Sequence, residues 1–81
     1  MAKLRVGIMF GGKSSEHGIS CATAAGVLGA IDREKYDVLP IGVTREGVFV
    51  PAVDDPKIWA LTDGPLPEVK FEGTRLDLAL R

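Results

Sequence analysis

The chain has 81 residues, of which 46% are hydrophobic and 26% are charged, and its formal net charge is −1. This composition excludes a disordered tail and a collagen-like repeat, and a chain of this length forms at most one small domain. The balanced charge offers no basic surface for nucleic acid or anionic lipid.

The cysteine and hydropathy patterns indicate a cytoplasmic protein. Cys21 is the only cysteine, so the chain cannot form an internal disulfide, which suits a reducing compartment. No apolar stretch approaches the roughly 20 residues that a membrane span requires, and no signal-peptide apolar block precedes Gly7. With a single histidine as well, the chain lacks the ligands of a structural zinc site. We therefore expect a soluble, cytoplasmic chain that binds neither membranes nor nucleic acid.

The first half of the chain predicts a strand, a helix and a second strand. The apolar run of residues 4–10 ends at a Gly-Gly pair, and its length and flanks favour a buried strand. Over residues 19–31, apolar side chains recur at helical spacing in one stripe, formed by Cys21, Ala24, Leu28 and Ile31. Residues 36–43 are predicted to form the second strand. A strand, helix and strand in this order are typical of a right-handed βαβ unit with parallel strands.

The second half predicts shorter elements. Residues 44–47 have turn chemistry between two apolar segments, which predicts a hairpin or a tight reversal. Asp55 is a candidate N-cap followed by Pro56 at the first helical position, so one short helix is expected, with its tryptophan packed on the core. In the tail, Val69 and Phe71, followed by alternating leucines at 76, 78 and 80, predict strands.

Together these elements predict an α/β fold with a Rossmann-like parallel sheet that is incomplete. A parallel sheet needs helices on both faces, but the pattern supplies one substantial helix. The alternation of leucines also continues to the last residues without a stop signal. We therefore expect the chain to be part of a larger protein, whose other residues cover the sheet.

The segment that connects the first strand to the helix carries the chemistry. Residues 10–20 read Phe-Gly-Gly-Lys-Ser-Ser-Glu-His-Gly-Ile-Ser. Ligands of open α/β sheets bind beyond the carboxyl ends of strands, and a helix start offers unpaired amides. The spacing matches neither Gly-x-Gly-x-x-Gly nor the P-loop, and Glu16 suits an ammonium group better than a phosphate. The alternative for Glu16 is a solvated carboxylate near a helix N-terminus, which is favourable in itself.

The neighbours of Glu16 also have simpler structural interpretations. Ser14 and Ser15 are expected to be turn and N-cap residues. His17 is expected to point to solvent or to cap the helix. Cys21 falls on the packing stripe and is expected to be a small buried hydrophobe. Ile19 is expected in the core or in the wall of a pocket.

Residues 10–20, which follow the strand Val-Gly-Ile-Met, resemble the N-terminal signature of D-alanine–D-alanine ligases. Residues 36–47, Tyr-Asp-Val-Leu-Pro-Ile-Gly-Val-Thr-Arg-Glu-Gly, are similar to the second strand and turn of that family. Ser20-Cys21 and residues 66–70 are similar to actinobacterial members, and beyond Pro51 the alignment is loose. By this resemblance, residues 1–81 are the N-terminal substrate-binding domain of an ATP-grasp ligase whose ATP-grasp domain lies outside the chain.

The resemblance implies a reaction and a role for three residues. These ligases use ATP to phosphorylate the carboxylate of one D-alanine, and the amine of a second D-alanine attacks the acyl phosphate, which yields D-alanyl-D-alanine for peptidoglycan. By motif position, Glu16 is the catalytic and substrate-binding acid that holds the ammonium group of the first D-alanine. Ile19 is the residue that lies against the substrate methyl group, and Ser14 is a further candidate contact in the substrate network.

The resemblance also implies what lies elsewhere. The ATP and Mg²⁺ sites and the site of the second substrate belong to later parts of the family's sequence, so this chain is expected to be inactive alone and to work with the rest of the same polypeptide, commonly as a homodimer. Many members carry a second acid where this sequence has Gly18, so we expect a more mobile loop here. The residues that choose D-alanine, D-lactate or D-serine as second substrate also lie downstream.

Two other functions fit the residues taken without the resemblance. The glycine-rich turn is compatible with a small flavodoxin-like module that binds a nucleotide or phosphate. The uncovered sheet face is compatible with an interaction domain that docks a partner.

Overall fold

The computed structural model of the chain describes residues 3–76, which form three strands and two helices. The strands are β1 (Leu4–Gly11), β2 (Tyr36–Val43) and β3 (Phe49–Pro51), and the helices are α1 (His17–Ala30) and α2 (Pro56–Trp59). The chain order is β1, α1, β2, β3, α2, which confirms the predicted α/β class. No helix within residues 3–76 is long and apolar enough to cross a membrane.

The three strands form one mixed sheet in the order β1-β2-β3. β1 and β2 pair in parallel along their whole lengths, from Leu4 opposite Tyr36 to Gly11 opposite Val43. β3 is antiparallel to β2 because the turn at residues 44–47 reverses the chain. In that turn, the Gly47 amide donates to the Thr44 carbonyl at 2.9 Å. The βαβ unit and the hairpin are therefore confirmed, and the antiparallel strand that the hairpin adds makes the sheet mixed.

Helix α1 packs on the sheet through the predicted stripe. Cys21, Ala24 and Leu28 are buried, and small side chains there let the helix approach the sheet closely. The helix begins two residues earlier than predicted, at His17. In the same core, Phe10 of β1 and Trp59 of α2 pack edge to face with their ring centroids 4.9 Å apart, a favoured aromatic geometry.

Helix α2 forms as its cap predicts. The Lys57 amide donates to Oδ1 of Asp55 at 2.9 Å, and Pro56 occupies the first helical position, where it has no amide hydrogen to leave unpaired. Trp59 is buried in the core and its Nε1 donates to the Val53 carbonyl at 2.8 Å. The hydrogen bond satisfies the polar end of the indole and fixes the short helix against the domain.

An ion pair joins the C-terminal end of α1 to the segment before α2. Arg33 donates to both carboxylate oxygens of Asp54, at 2.5 and 2.8 Å, and its Nη2 also donates to the Leu28 carbonyl at 2.8 Å. The hydrogen bond from Arg33 lowers the pKa of Asp54. Arg33 binds both oxygens of Asp54 and also a carbonyl of α1. The pair therefore fixes the position of the segment before α2 relative to α1.

The tail departs from the sequence-based prediction. Residues 66–76 form no strand, although Val69 is buried and Phe71 is half exposed. The backbone of this segment bonds to scattered partners, such as the Leu76 amide to the Phe49 carbonyl at 2.8 Å. An alternation of apolar residues does not by itself form a strand, because a strand also needs a neighbouring strand to pair with. The predicted tail strands are therefore wrong over residues 66–76. The leucines at 78 and 80 lie outside the described residues.

Both helices contact the sheet face that carries Phe10, and the opposite face is less covered. Met9 and Leu39, which point to that opposite face, are each 54% exposed. Exposed apolar surface of this kind is what an α/β sheet shows where it has helices on one face alone.

Candidate functional site

Two glycines set the course of the chain as it leaves β1. Gly11 and Gly12 have φ angles of 98° and 101°, in the left-handed region that side chains disfavour. A Cβ atom on Gly11 would lie 2.3 Å from the Val43 carbonyl oxygen, so no other residue fits there without a backbone shift. The Gly12 amide donates to the same carbonyl at 2.8 Å. The loop therefore starts from a rigid end of the sheet.

Two serines order the loop by hydrogen bonds to its backbone. The Ser14 hydroxyl accepts from the Glu16 amide at 2.8 Å, and the Ser14 carbonyl accepts from the His17 amide at 3.1 Å. The Ser20 hydroxyl accepts from the Gly11 amide at 3.0 Å. Ser14 is thus a turn residue, as predicted. The expected N-cap at Ser15 is wrong, because Glu16 occupies the N-cap position and makes no side-chain capping bond.

His17 is fully buried, which overturns the expectation that it points to solvent or caps the helix. Its Nδ1 lies 2.7 Å from the Gly12 carbonyl oxygen, and its Nε2 accepts a hydrogen bond from the Val69 amide at 2.9 Å. Val69 lies 52 residues later in the chain, so no local pattern could have shown that this histidine has a buried partner.

An open cavity of about 480 Å³ lies between the end of β1 and the first turns of α1. Its lining includes all three residues that the resemblance selected, Ser14, Glu16 and Ile19. Ile19 is 49% exposed, so it is part of the cavity wall and not of the core. Glu16 is the one charged side chain in the lining, and the rest of the wall consists of apolar and hydroxyl groups and glycine. Such a cavity suits a small ligand with a cationic group near Glu16 and an apolar group near Ile19.

Two further residues of the cavity wall, Ser20 and Thr23, were not predicted to line a ligand site. The Thr23 hydroxyl donates to the Ile19 carbonyl at 3.0 Å, as threonines in helices often do. Ser20 and Thr23 follow Glu16 by four and seven residues, which is the spacing of one helix face. That spacing is the signal by which they could have been found.

Four backbone amides of the loop are already paired and so are not available to a phosphate. The amides of Gly11, Gly12, Glu16 and His17 all donate to acceptors within the chain. Their hydrogens are therefore not directed at a ligand, and the carboxylate of Glu16 adds a charge that repels an anion. Lys13 lies against Gly47 on the hairpin turn and is absent from the cavity wall. This geometry counts against the nucleotide- or phosphate-binding module.

Other reactive groups of the described chain take no part in the cavity. Cys21 is fully buried, as predicted, and burial raises the pKa of its thiol, so it stays protonated and inert. Among residues 3–76, no three histidine, cysteine or acidic side chains are grouped so that they could hold a metal ion.

Gly18 is buried beneath the side chain of Leu66. A Cβ atom on Gly18 would lie 2.9 Å from the Leu66 Cβ, closer than real contacts of that kind. Leu66 thus occupies the space into which a larger residue at this position would extend. The absence of a side chain at Gly18 lets the segment around Leu66 pack on the first turn of α1.

These features define a class of protein: a small α/β domain with an open cavity at the carboxyl end of its first strand, lined by one acidic side chain among the described residues. A model of the family described as D-ala D-ala ligase N-terminus matches residues 5–77, and the chain belongs to that family.

The relatives agree with this assignment. The chain is 58% identical over 78 residues to the D-alanine--D-alanine ligase of Kineococcus radiotolerans. This alignment covers 96% of this chain and 20% of the relative. It is 53% identical over 75 residues to the D-alanine--D-alanine ligase of Paenarthrobacter aurescens. This alignment covers 93% of this chain and 20% of the relative. The chain thus spans about a fifth of the length of the curated relatives it matches.

Solved structures show the same fold. The VanG D-Ala:D-Ser ligase of Enterococcus faecalis superposes with a TM-score of 0.66 at 29% identity, over 72% of this chain and 17% of that one. The D-alanine-D-alanine ligase of Coxiella burnetii gives a TM-score of 0.61 at 30% identity, over 70% of this chain and 17% of that one.

Proposed function

We propose that the chain is the N-terminal, substrate-binding part of a D-alanine–D-alanine ligase and that its cavity holds the first D-alanine. The observation that carries the proposal is the position of Glu16, the one charge in a small cavity whose wall also contains Ile19 and Ser14. Membership of the ligase family supplies the substrate class. The rest of the polypeptide then provides the ATP and Mg²⁺ sites, and the enzyme acts in the cytoplasm as a homodimer that supplies peptidoglycan synthesis.

In this role the residues of the chain bind and orient the substrate. The Glu16 carboxylate accepts charge-assisted hydrogen bonds from the substrate ammonium group, and Ile19 contacts the methyl group. The Ser14 hydroxyl, held in the loop by the Glu16 amide, provides a nearby polar contact. Holding one of two substrates in place lowers the entropic part of the barrier, which is a large contribution in a two-substrate reaction.

The test is Glu16→Gln in the full-length enzyme. Loss of a hydrogen bond to a charged group costs about 1.5–3 kcal/mol, so we expect KM for the first D-alanine to rise by about tenfold or more. KM for ATP should stay unchanged, because the substitution is confined to the cavity and the ATP site is proposed to lie in the rest of the polypeptide. Steady-state kinetics with each substrate varied in turn measure both constants.

Glu68→Gln is the matched control. Glu68 pairs with Arg45 at 3.4 Å and lies outside the cavity wall, so the same chemical change there should leave D-alanine kinetics unaltered. If Glu16→Gln also leaves D-alanine kinetics unaltered, Glu16 does not hold the substrate and the proposal fails.

A further inference from the structure

His17 is a buried polar residue for which the proposed binding role of the cavity has no use. It is 0% exposed and absent from the cavity wall, yet it directly follows Glu16 in the chain. A buried polar side chain is costly unless its hydrogen-bonding groups are paired, and both ring nitrogens of His17 are paired with backbone.

The two hydrogen bonds determine the protonation of the ring. The Val69 amide can only donate, so Nε2 of His17 must be the unprotonated acceptor. The ring hydrogen is then on Nδ1, where it donates to the Gly12 carbonyl at 2.7 Å. His17 is therefore a neutral imidazole whose tautomer is fixed by two separate backbone segments.

The bond to Gly12 closes the loop that carries the binding residues. It joins residues five positions apart, with Ser14 and Glu16 between them. The Glu16 amide is already bonded to Ser14, and the Glu16 carbonyl accepts from the Ser20 amide at 2.8 Å. With the Gly12–His17 bond in place, the backbone of Glu16 is held on both sides, so the point at which its side chain leaves the loop is fixed.

The bond to Val69 attaches the same ring to the tail segment. The Val69 side chain packs over two glycines at the strand ends: a Cβ on Gly42 would lie 2.6 Å from it, and a Cβ on Gly11 would lie 3.1 Å from it. The ion pair between Arg45 and Glu68 holds the adjacent residue. This side of the ring therefore contributes mainly to the packing of the tail segment on the strand ends.

We infer that His17 is a positioning residue: its Nδ1–H bond to Gly12 holds the Glu16 loop in the geometry that receives the substrate ammonium group, and its Nε2 bond to Val69 stabilises the domain. The inference rests on the proposed function, because it concerns the same site. The two nitrogens of the ring make separate hydrogen bonds with separate roles. Each hydrogen bond can be removed without the other.

The experiment compares His17→Gln and His17→Asn in the full-length enzyme. The amide of glutamine reaches the position of Nε2, which keeps an acceptor for Val69 and loses the donor to Gly12. The amide of asparagine reaches the position of Nδ1, which keeps the donor to Gly12 and loses the acceptor. Loss of one backbone hydrogen bond corresponds to about 3- to 10-fold in an equilibrium constant. We expect His17→Gln to raise KM for the first D-alanine by about that factor, and His17→Asn to leave KM within about twofold of wild type.

Leu28→Ala controls for loss of stability. Leu28 is buried far along α1 and is not part of the cavity wall, so its removal should lower the Tm while leaving KM unchanged. All kinetics are measured below the lowest Tm of the set. A KM that rises in Leu28→Ala as it does in His17→Gln, or that is equal in the Gln and Asn variants, overturns the positioning role.

The failure of this inference is distinguishable from failure of the proposed function. If Glu16→Gln raises KM for D-alanine and His17→Gln does not, the cavity binds D-alanine and His17 is structural alone. If the wild-type enzyme shows no D-alanine-dependent consumption of ATP, the proposed function is wrong and the inference is overturned with it.

Discussion

Glycine at position 42 allows the tail segment to reach the sheet. Gly42 is buried, and a Cβ atom there would lie 2.6 Å from Cγ1 of Val69 and 3.3 Å from Cγ2 of Val50. Both neighbours are themselves buried, so neither can move aside without leaving the core. The close approach that fixes Val69 beside His17 therefore depends on the missing side chain.

We expect Gly42→Ala to lower the free energy of unfolding by about 1–3 kcal/mol, the usual cost of adding a methyl group to a packed core. Gly26→Ala is the matched control, because a Cβ at this exposed helical position meets no atom within 4 Å. That control should raise the free energy of unfolding by about 0.5–1 kcal/mol, since alanine favours helix over glycine. Urea denaturation of both variants measures the difference; equal effects would show that Val69 is not packed on Gly42.

Single residues were predicted well where a local pattern decides their environment. Cys21 lies on a helical stripe, and the stripe alone predicts that it is buried. Glu16 reaches the cavity because it sits at the start of a helix that follows a strand. The environment of His17 was predicted wrongly because Val69, the residue that buries it, is 52 positions away. That contact arises from tertiary packing, which local periodicity does not encode.

Between elements, the pair of Arg33 and Asp54 connects the end of α1 to the start of α2. The arginine donates two hydrogen bonds to the carboxylate, and the pair lies at the surface, so its contribution is reduced by solvent. Because Arg33 lowers the pKa of Asp54 in the folded chain, the ionised carboxylate favours the folded state.

We expect Asp54→Asn to be modestly less stable than wild type at pH 7. The contribution of Asp54 is complete above the pKa of an unfolded aspartate, about 3.9, and is lost as pH falls through the lower pKa of the folded state. The difference between the two proteins should therefore shrink below about pH 4. Urea midpoints at pH 7, 5 and 3 measure it. Asp37→Asn, which breaks the longer 3.8 Å pair with Lys3, is the control and should have little effect; a difference for Asp54→Asn that is constant with pH would contradict the prediction.

Elements with strong local signals were predicted closely, and the others were not. The predicted second strand has the bounds of β2, and the cap at Asp55 marks the start of α2. The start of α1 was placed two residues late because its first turn, His17-Gly18, carries no apolar periodicity. The tail was predicted as strand because its apolar residues alternate. A strand also needs the edge of another strand to pair with, and the amides of residues 66–76 donate to a side chain and to an isolated carbonyl instead.

At the scale of the whole chain, exposed apolar side chains on the sheet remain without cover. Met9 and Leu39 are each 54% exposed on the face opposite the helices. A chain that spans about a fifth of its relatives' length leaves such surface open to contact with other molecules.

We therefore expect the 81-residue chain to associate with itself as its concentration rises, because association buries this apolar surface. Sedimentation velocity over a concentration series measures the average mass. Leu39→Lys should reduce association, since it places a charge in the patch, and Lys57→Glu, on α2 and away from the patch, should leave association unchanged. A monomer at every concentration that melts in one cooperative step would show that the described fold needs no further cover.

The hydrogen bond between His17 and Val69 also bears on the order in which the molecule assembles. Chains are synthesised at about 5–20 residues per second, so the 52 residues that separate these partners take roughly 3–10 s to emerge. Helix α1 and the glycine turn before it can form within microseconds of leaving the ribosome. The loop that contains Glu16 therefore exists for seconds without the hydrogen-bond partner of its buried histidine, and the cavity reaches its final shape only after Val69 has been made.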